Sequence, residues 1–162
     1  MGIRDATEND WPRIWPVFRE VVQAGETYAY DAGLSSDQAR QLWLMPPPSR
    51  TVVAVDHDEV LGTATMGPNR PGRGSHVGTA SFMVSAAARR RGVGRALAEH
   101  VVAWHRTEGF RGIQFNAVVE TNTAAVSLWR SLGFTIVGTV PGAFLHPRHG
   151  YVGLHVMYLP LV

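Results

Sequence analysis

Residues 85–100 read SAAARRRGVGRALAEH, and the reading of the fold starts there. Three arginines run into Gly92 and Gly94, after which Val93, Ala96, Leu97, Val101 and Trp104 recur at helical spacing, with Gly109 placed to close the helix. TASFMV (79–84), just upstream, reads as a strand. Strand, glycine-bearing loop and helix form the arrangement in which backbone N–H groups converge on an anion. Arg89, Arg90, Arg91 and Arg95 would all stand at the positive end of the helix dipole. Each cation there is unfavourable by roughly 0.3–1 kcal/mol. A bound phosphate would turn those cations into charge-assisted donors, so the loop reads as an anion site. The bland alternative is a solvated turn in a chain that uses arginine for every basic residue. A Walker loop is excluded because the chain has no lysine, and the dinucleotide pattern fails because Leu97 holds its third glycine position.

Working outward, IRDA (3–6) predicts a short edge strand. Asp10 is placed to cap a helix that has Pro12 in its first turn and runs to about Ala24. SSDQARQLWLM (35–45) predicts a second helix, stopped by Pro46, Pro47 and Pro48. TVVAVD (51–56) and VLGTATM (60–66) predict a hairpin turning at His57–Glu59, and residues 67–78 read as a loop. IQFNAVV (113–119) predicts a strand. Asn122 caps a helix with Ala125, Leu128, Trp129 and Leu132 on one face, which Gly133 ends. TIVGTV (135–140) and VGLHVMYL (152–159) predict the last strands, joined by a Pro/Gly-rich connection. The order β-α-α-β-β-β-α-β-α-β-β calls for a mixed sheet covered by helices, in the α/β to α+β class.

The 162 residues fit one domain spanning 1–162, long enough to bury a sizeable core without metals or disulfides. Fifteen Lys+Arg against thirteen Asp+Glu leave a formal charge of +2, too small an excess to predict a nucleic-acid surface. No cysteine is present, which removes thiolate nucleophiles and cysteine metal sites. The polar start, MGIRDATEND, and the lack of any long apolar run point to a cytoplasmic protein without a membrane partner.

Two blocks carry a resemblance. Arg89-x-x-Gly92-x-Gly94 after FMV (82–84) is similar to the pyrophosphate loop of the GCN5-related N-acetyltransferases, and NTAAVSLWRSLGF (122–134) is similar to that family's N-x-x-A-x-x-L-Y-x-x-x-G-F block. Element order agrees over nearly the whole chain. The resemblance implies a mostly antiparallel central sheet flanked by helices, with splayed strands that bind acetyl-CoA as co-substrate and no metal. It implies backbone contacts from Phe82, Met83 and Val84 to the pantetheine arm. N–H groups from Arg90 through Arg91, Gly92, Val93 and Gly94 to Arg95 would hold the pyrophosphate, with Arg89 helping. Asn122 matches the asparagine that contacts the pantetheine arm, beside its capping role. Dimers are frequent in the family, which makes a homodimer an open expectation.

One position departs from the family pattern. Trp129 stands where many members have the tyrosine assigned as general acid, and an indole has no readily ionised proton, so Trp129 lines the cofactor site without that role. Asn116, in the middle of an apolar strand, must find partners. FN-x-V…N-x-x-A-x-x-LW resembles the fungal acetyltransferases of azetidine-2-carboxylate and related imino acids and their bacterial relatives, which implies that Asn116 positions the acceptor and takes part in catalysis. GETYAYD (25–31) resembles the acceptor segment of phosphinothricin- and methionine-sulfoximine-type acetyltransferases, with Tyr28 and Tyr30 lining the pocket. Glu26 and Glu120 are the candidate bases for an acceptor nitrogen that arrives protonated. HPRH (146–149) lacks a third metal ligand nearby. His155 lies in the last strand, as a core or surface histidine or within reach of the site. His76 and Asn69 belong to the 67–78 loop, which is placed to flank the acceptor entrance, though their own positions do not follow from the sequence. The expected activity is direct acetyl transfer to a small amino- or imino-acid-like molecule. A non-catalytic acyl-CoA-binding module is the rival from another class.

Overall fold

The computed structural model describes residues 1–162. Seven strands form one sheet in the order β1-β2-β3-β4-β5-β7-β6. They are β1 (Gly2–Asp5), β2 (Arg50–Asp56), β3 (Glu59–Pro68), β4 (Val77–Val84), β5 (Gly112–Val119), β6 (Thr135–His146) and β7 (Gly150–Pro160). The helices are α1 (Trp11–Ala24), α2 (Ser36–Trp43), α3 (Val93–Thr107) and α4 (Thr123–Ser131). All neighbouring strands pair antiparallel except β4 and β5, which run parallel. No helix is long and apolar enough to cross a membrane.

Strands β2 and β3 are apolar on both faces because both faces are covered. On one side Ile14 and Phe18 of α1 and Trp43 of α2 pack with Val53, Val60 and Met83. On the other, Val93, Leu97 and Val101 of α3 pack with Val52, Leu61 and Ala64. A third cluster joins α4 to the second half of the sheet through Phe115, Trp129, Phe134 and Met157.

The parallel contact is the shortest in the sheet: Val77 faces Gly112, Gly78 faces Ile113, and then β4 and β5 part. His105 of α3 is wedged beneath this last pair. Its ring is fully buried, and Nδ1 lies 2.8 Å from the Val101 carbonyl, so Nδ1 carries the proton and donates. A methyl group on Gly78 would fall on the His105 ring atoms Cδ2 and Nε2.

Several boundaries move. Asp10 does not cap α1 with its side chain; a 3-10 turn over Glu8–Asp10 leads into the helix. The Asp10 carboxylate instead accepts two bonds of 2.8 Å from the Arg4 guanidinium and one of 2.8 Å from Thr7 N–H. Helix α2, capped by Ser35, stops at Trp43 rather than Met45, because Pro46 pushes the residues before it out of helical geometry. The hairpin turns at His57–Asp58, and the predicted loop 67–78 shrinks because β3 and β4 extend into it. The Pro/Gly-rich connection is no loop: β6 and β7 continue through it, and a bulge between Val140 and Phe144 absorbs Pro141 and Gly142.

The Arg4–Asp10 pair carries a pH dependence. Hydrogen bonds from Arg4, with a smaller contribution from Thr7, hold the Asp10 carboxyl well below the usual carboxylate range. Its stabilisation is therefore present above the ordinary aspartate pKa of about 4 and is lost as pH falls through the lowered folded value. Asp10→Asn is expected to lower stability by about 1–3 kcal/mol at pH 7. In urea titrations the difference should shrink as the pH is taken from 5 to 2.

Candidate active site

Where β4 and β5 part, a cleft of about 580 Å³ opens between them. Its walls are β4 from Thr79 to Val84, β5 from Phe115 to Val119, the start of α4, and residues 26–29 between α1 and α2. Arg89 and Gly94 stand at one end.

The loop between β4 and α3 builds an array of backbone donors. Arg90 and Gly92 both take left-handed backbone conformations, at φ 63° and 77°, which turns successive N–H groups the same way. The N–H groups of Arg90, Gly92, Val93, Gly94 and Arg95 find no acceptor within the protein, and the first helical bond of α3 runs from Ala96 N–H to Gly92 C=O. Arg91 is the exception to the expected run, since its N–H donates to Ala88 C=O at 3.3 Å. Side chains in the loop divide. Arg91 reaches Asp56 at 3.3 Å, while Arg95 donates to Ser131 at 2.9 Å and pairs with Glu99 at 3.6 Å. Arg89 and Arg90 have no internal partner, so the positive end of α3 is only partly neutralised from within, and of the two Arg89 lines the cleft.

On β4 the antiparallel ladder with β3 turns alternate backbone groups toward and away from that partner. The Phe82 N–H and C=O face the cleft, and the Tyr28 hydroxyl occupies both: it donates to the carbonyl and accepts from the N–H, each at 2.7 Å. Burial pushes the Tyr28 phenol up from its usual pKa, so it remains a neutral donor. The same alternation directs the Met83 backbone to β3 and leaves Val84 as the open backbone position of the edge. Of Phe82, Met83 and Val84, only Val84 therefore offers free main-chain groups. The Phe82 ring packs at a tilt against Trp129 and edge-on against Phe115, at 4.8 and 5.9 Å between ring centroids.

Asn116 lies in a bulge of β5, where Phe115 pairs with Met157 and Val118 with His155. Its amide projects at the cleft instead of into the core, donating to Asn69 Oδ1 at 2.6 Å and accepting from Gln114 at 2.9 Å. The sequence places Asn69 in the loop expected to flank the acceptor entrance but gives no sign of its bond to Asn116, which it reaches from the β3–β4 loop. Asn122 caps α4, accepting from Ala125 N–H at 3.3 Å, and lines the cleft as well. Trp129 is buried on the cleft floor, against Phe82 and Phe115.

Two predicted residues fall elsewhere. Glu120 is exposed, outside the cleft lining, and its carboxylate accepts from Gly153 N–H at 2.6 Å. Tyr30 stacks behind Tyr28 and against Phe18, at 5.7 and 5.4 Å between rings, as part of the α1 packing rather than the cleft wall. Glu26 does line the cleft, with an oxygen held 2.6 Å from Arg148 at the β6–β7 tip. The histidines of HPRH serve that turn: His146 Nδ1 accepts the N–H groups of Arg148 and His149 at 3.1 and 3.2 Å.

Residues 9–134 match the Acetyltransferase (GNAT) family. The chain is 29% identical over 151 residues to N-acetyltransferase aca1 of Schizosaccharomyces pombe, an alignment spanning 83% of this chain and 72% of that protein. It superposes on a GCN5-related N-acetyltransferase from Kribbella flavida with TM-score 0.96 and 65% identity, covering 98% of this chain and 96% of that one. A phosphinothricin acetyltransferase from Sinorhizobium meliloti, solved with acetyl-CoA, superposes with TM-score 0.86 at 25% identity over 98% of this chain and 87% of that one.

Proposed function

Since the chain belongs to the GNAT acetyltransferase family and is an acetyl-CoA-dependent N-acetyltransferase, we propose that its acceptor is a small amino or imino acid of the azetidine-2-carboxylate or hydroxyproline type. The observation that carries the reading is Asn116, set by the β5 bulge on the same cleft that Val84, Arg89 and Gly94 line, beside the unclaimed N–H groups of Arg90, Gly92, Val93, Gly94 and Arg95. In this reading Arg89 and the N–H groups of Arg90, Gly92, Val93, Gly94 and Arg95 hold the pyrophosphate. Val84 and Asn122 hold the pantetheine arm, and Trp129 forms the floor beneath it.

The acceptor nitrogen attacks the acetyl carbonyl carbon, the new C–N bond forms, and the C–S bond breaks to release the CoA thiolate. Val84 N–H donates to the carbonyl oxygen as charge develops there. Asn116 orients the acceptor, an amide being too weak a base to take its proton. Glu26 takes that proton, directly or through water. Trp129 has no proton to give, so the thiolate departs as the anion, and the proton left on the acylated nitrogen passes to it or to solvent. Holding both reactants in one cleft makes the encounter nearly unimolecular.

Thiol release can be followed with a thiol-reactive chromophore, because the chain has no cysteine to react. Turnover of azetidine-2-carboxylate or cis-4-hydroxyproline is expected. Asn116→Ala should cut kcat/KM by about 10–100-fold, the equivalent of one or two lost hydrogen bonds. The melting temperature should change little, since Asn116 is exposed in its bulge. Turnover confined to phosphinothricin or methionine sulfoximine would move the acceptor to the second reading. That reading is favoured by the Sinorhizobium meliloti structure and by Glu26 and Tyr28 lining the cleft.

A further inference from the structure

The cleft lining contains two charged residues, Glu26 and Arg89, and they belong to opposite ends. Arg89 sits with Gly94 beside the array of loop N–H groups. Glu26 therefore stands alone at the acceptor end as a lining charge. Any acceptor carboxylate that entered there would meet an anion and no lining cation.

The missing cation comes from outside the lining. Arg148 Nη2 lies 2.6 Å from Glu26 Oε1, joining residues 122 positions apart in the chain. The contact is built rather than incidental. His146 is buried, and its Nδ1 fixes the turn by accepting the Arg148 and His149 N–H groups, while the His146 and His149 rings pack at a tilt, 4.5 Å between centroids. A Cβ on Gly25 would lie 3.9 Å from Pro147, so the tip rests on the α1–α2 segment. Arg148 nevertheless remains 71% exposed, against 35% for Glu26. Most of its donors face solvent, and a planar guanidinium can hold one carboxylate while presenting its other edge to a second.

We propose that Arg148 and Glu26 form a zwitterion-recognition pair at the mouth of the cleft, with Arg148 binding the acceptor carboxylate and Glu26 its amino or imino nitrogen. This rests on the acceptor reading above and narrows it to molecules that carry a free carboxylate beside the nucleophilic nitrogen. The pair is neutral and so is the zwitterion, which brings no net charge to the site. A polyamine would instead place a second cation against Arg148.

The test compares acid and carboxamide forms of the same acceptors: L-azetidine-2-carboxylate, L-proline and L-phosphinothricin, each beside its carboxamide, with cadaverine as a carboxylate-free amine. The wild-type protein should prefer the acids. Arg148→Met should raise KM for the acids by about 10–100-fold with a smaller change in kcat, leave the carboxamides nearly unchanged, and erase the acid preference. Arg148→Lys should restore part of it. Glu26→Gln breaks the same ion pair but also removes the base, so it should lower acid and carboxamide turnover alike, and the Arg148 variants carry the distinction. If Arg148 only fastens the hairpin tip, Arg148→Met should lower acid and carboxamide turnover alike, which would overturn the proposal. Turnover of the acids unaffected by Arg148→Met overturns the proposal and leaves the acceptor reading standing. Preference for cadaverine or the carboxamides, or no turnover of any acid while acetyl-CoA still raises the melting temperature, overturns both.

Discussion

Gly78→Ala is expected to destabilise the protein by about 3 kcal/mol, the upper part of the range for forcing a methyl group into a packed core. For a chain of this length that corresponds to a melting temperature lower by about 6–12 °C. The added Cβ would overlap Cδ2 and Nε2 of His105 and lie 3.3 Å from Phe110. Relief is not at hand: His105 is fully buried, its Nδ1–H is tied to Val101 C=O, and its ring packs edge-on against Trp104 and Phe110. The backbone is no freer, because Gly78 is paired with Pro68 on one side and Ile113 on the other. His105→Ala alone should also destabilise, by about 2–4 kcal/mol, through the cavity it leaves. The double variant should lose clearly less than the sum, since the second change removes the atoms the first collides with. Urea titrations of the four proteins give the coupling directly. Additivity within about 0.5 kcal/mol would mean that the ring does not hold the pivot where β4 and β5 part.

That pivot marks how far the sequence could be read. The helices were legible because Leu97, Val101 and Trp104, or Ala125, Leu128 and Trp129, fall on one side of a 3.6-residue repeat. The donor loop was legible because Gly92 and Gly94 follow a strand and precede a helix. Tertiary competition was not legible. Asp10 looks like a cap until Arg4 arrives from β1 to claim its carboxylate. Tyr28 and Tyr30 look equivalent two residues apart, yet one bonds to β4 and the other stacks behind it. Glu26 and Glu120 look equivalent as bases, yet one lines the cleft and the other accepts from Gly153 N–H outside its lining. Pro141 and Gly142 suggest a loop, because composition alone does not reveal that a bulge lets an exposed edge strand pass through them. Residues whose roles depend on a distant partner, such as Arg148 and Asn69, leave no periodic trace at all.

Why four arginines stand at the wrong end of a helix can be tested through Gly94, the loop glycine that lines the cleft. Gly94→Val is expected to raise the KM for acetyl-CoA at least 100-fold, and Gly94→Ala about tenfold, while neither lowers the melting temperature by more than a few degrees. The fold itself has room: a Cβ at Gly94 would meet Leu128 and Val84 at 3.9 Å, ordinary contact distance, and the residue has no positive φ to strain. Alanine there also improves helix propensity over glycine. What the added carbons would obstruct is the cleft, which Gly94 lines beside N–H groups that have no acceptor in the protein. Each hydrogen bond to a charged phosphate contributes about 1.5–3 kcal/mol, so displacing one accounts for roughly a tenfold loss or more and displacing two for the larger one. Acetyl-pantetheine supplies the control, since it carries the same thioester without a pyrophosphate. Turnover of acetyl-pantetheine should be weak in the wild-type protein and nearly unchanged in both variants. A selective loss with acetyl-CoA places the pyrophosphate on the 90–95 loop. An equal loss with both donors would mean that the valine obstructs the thioester itself, and the arginines would need another explanation.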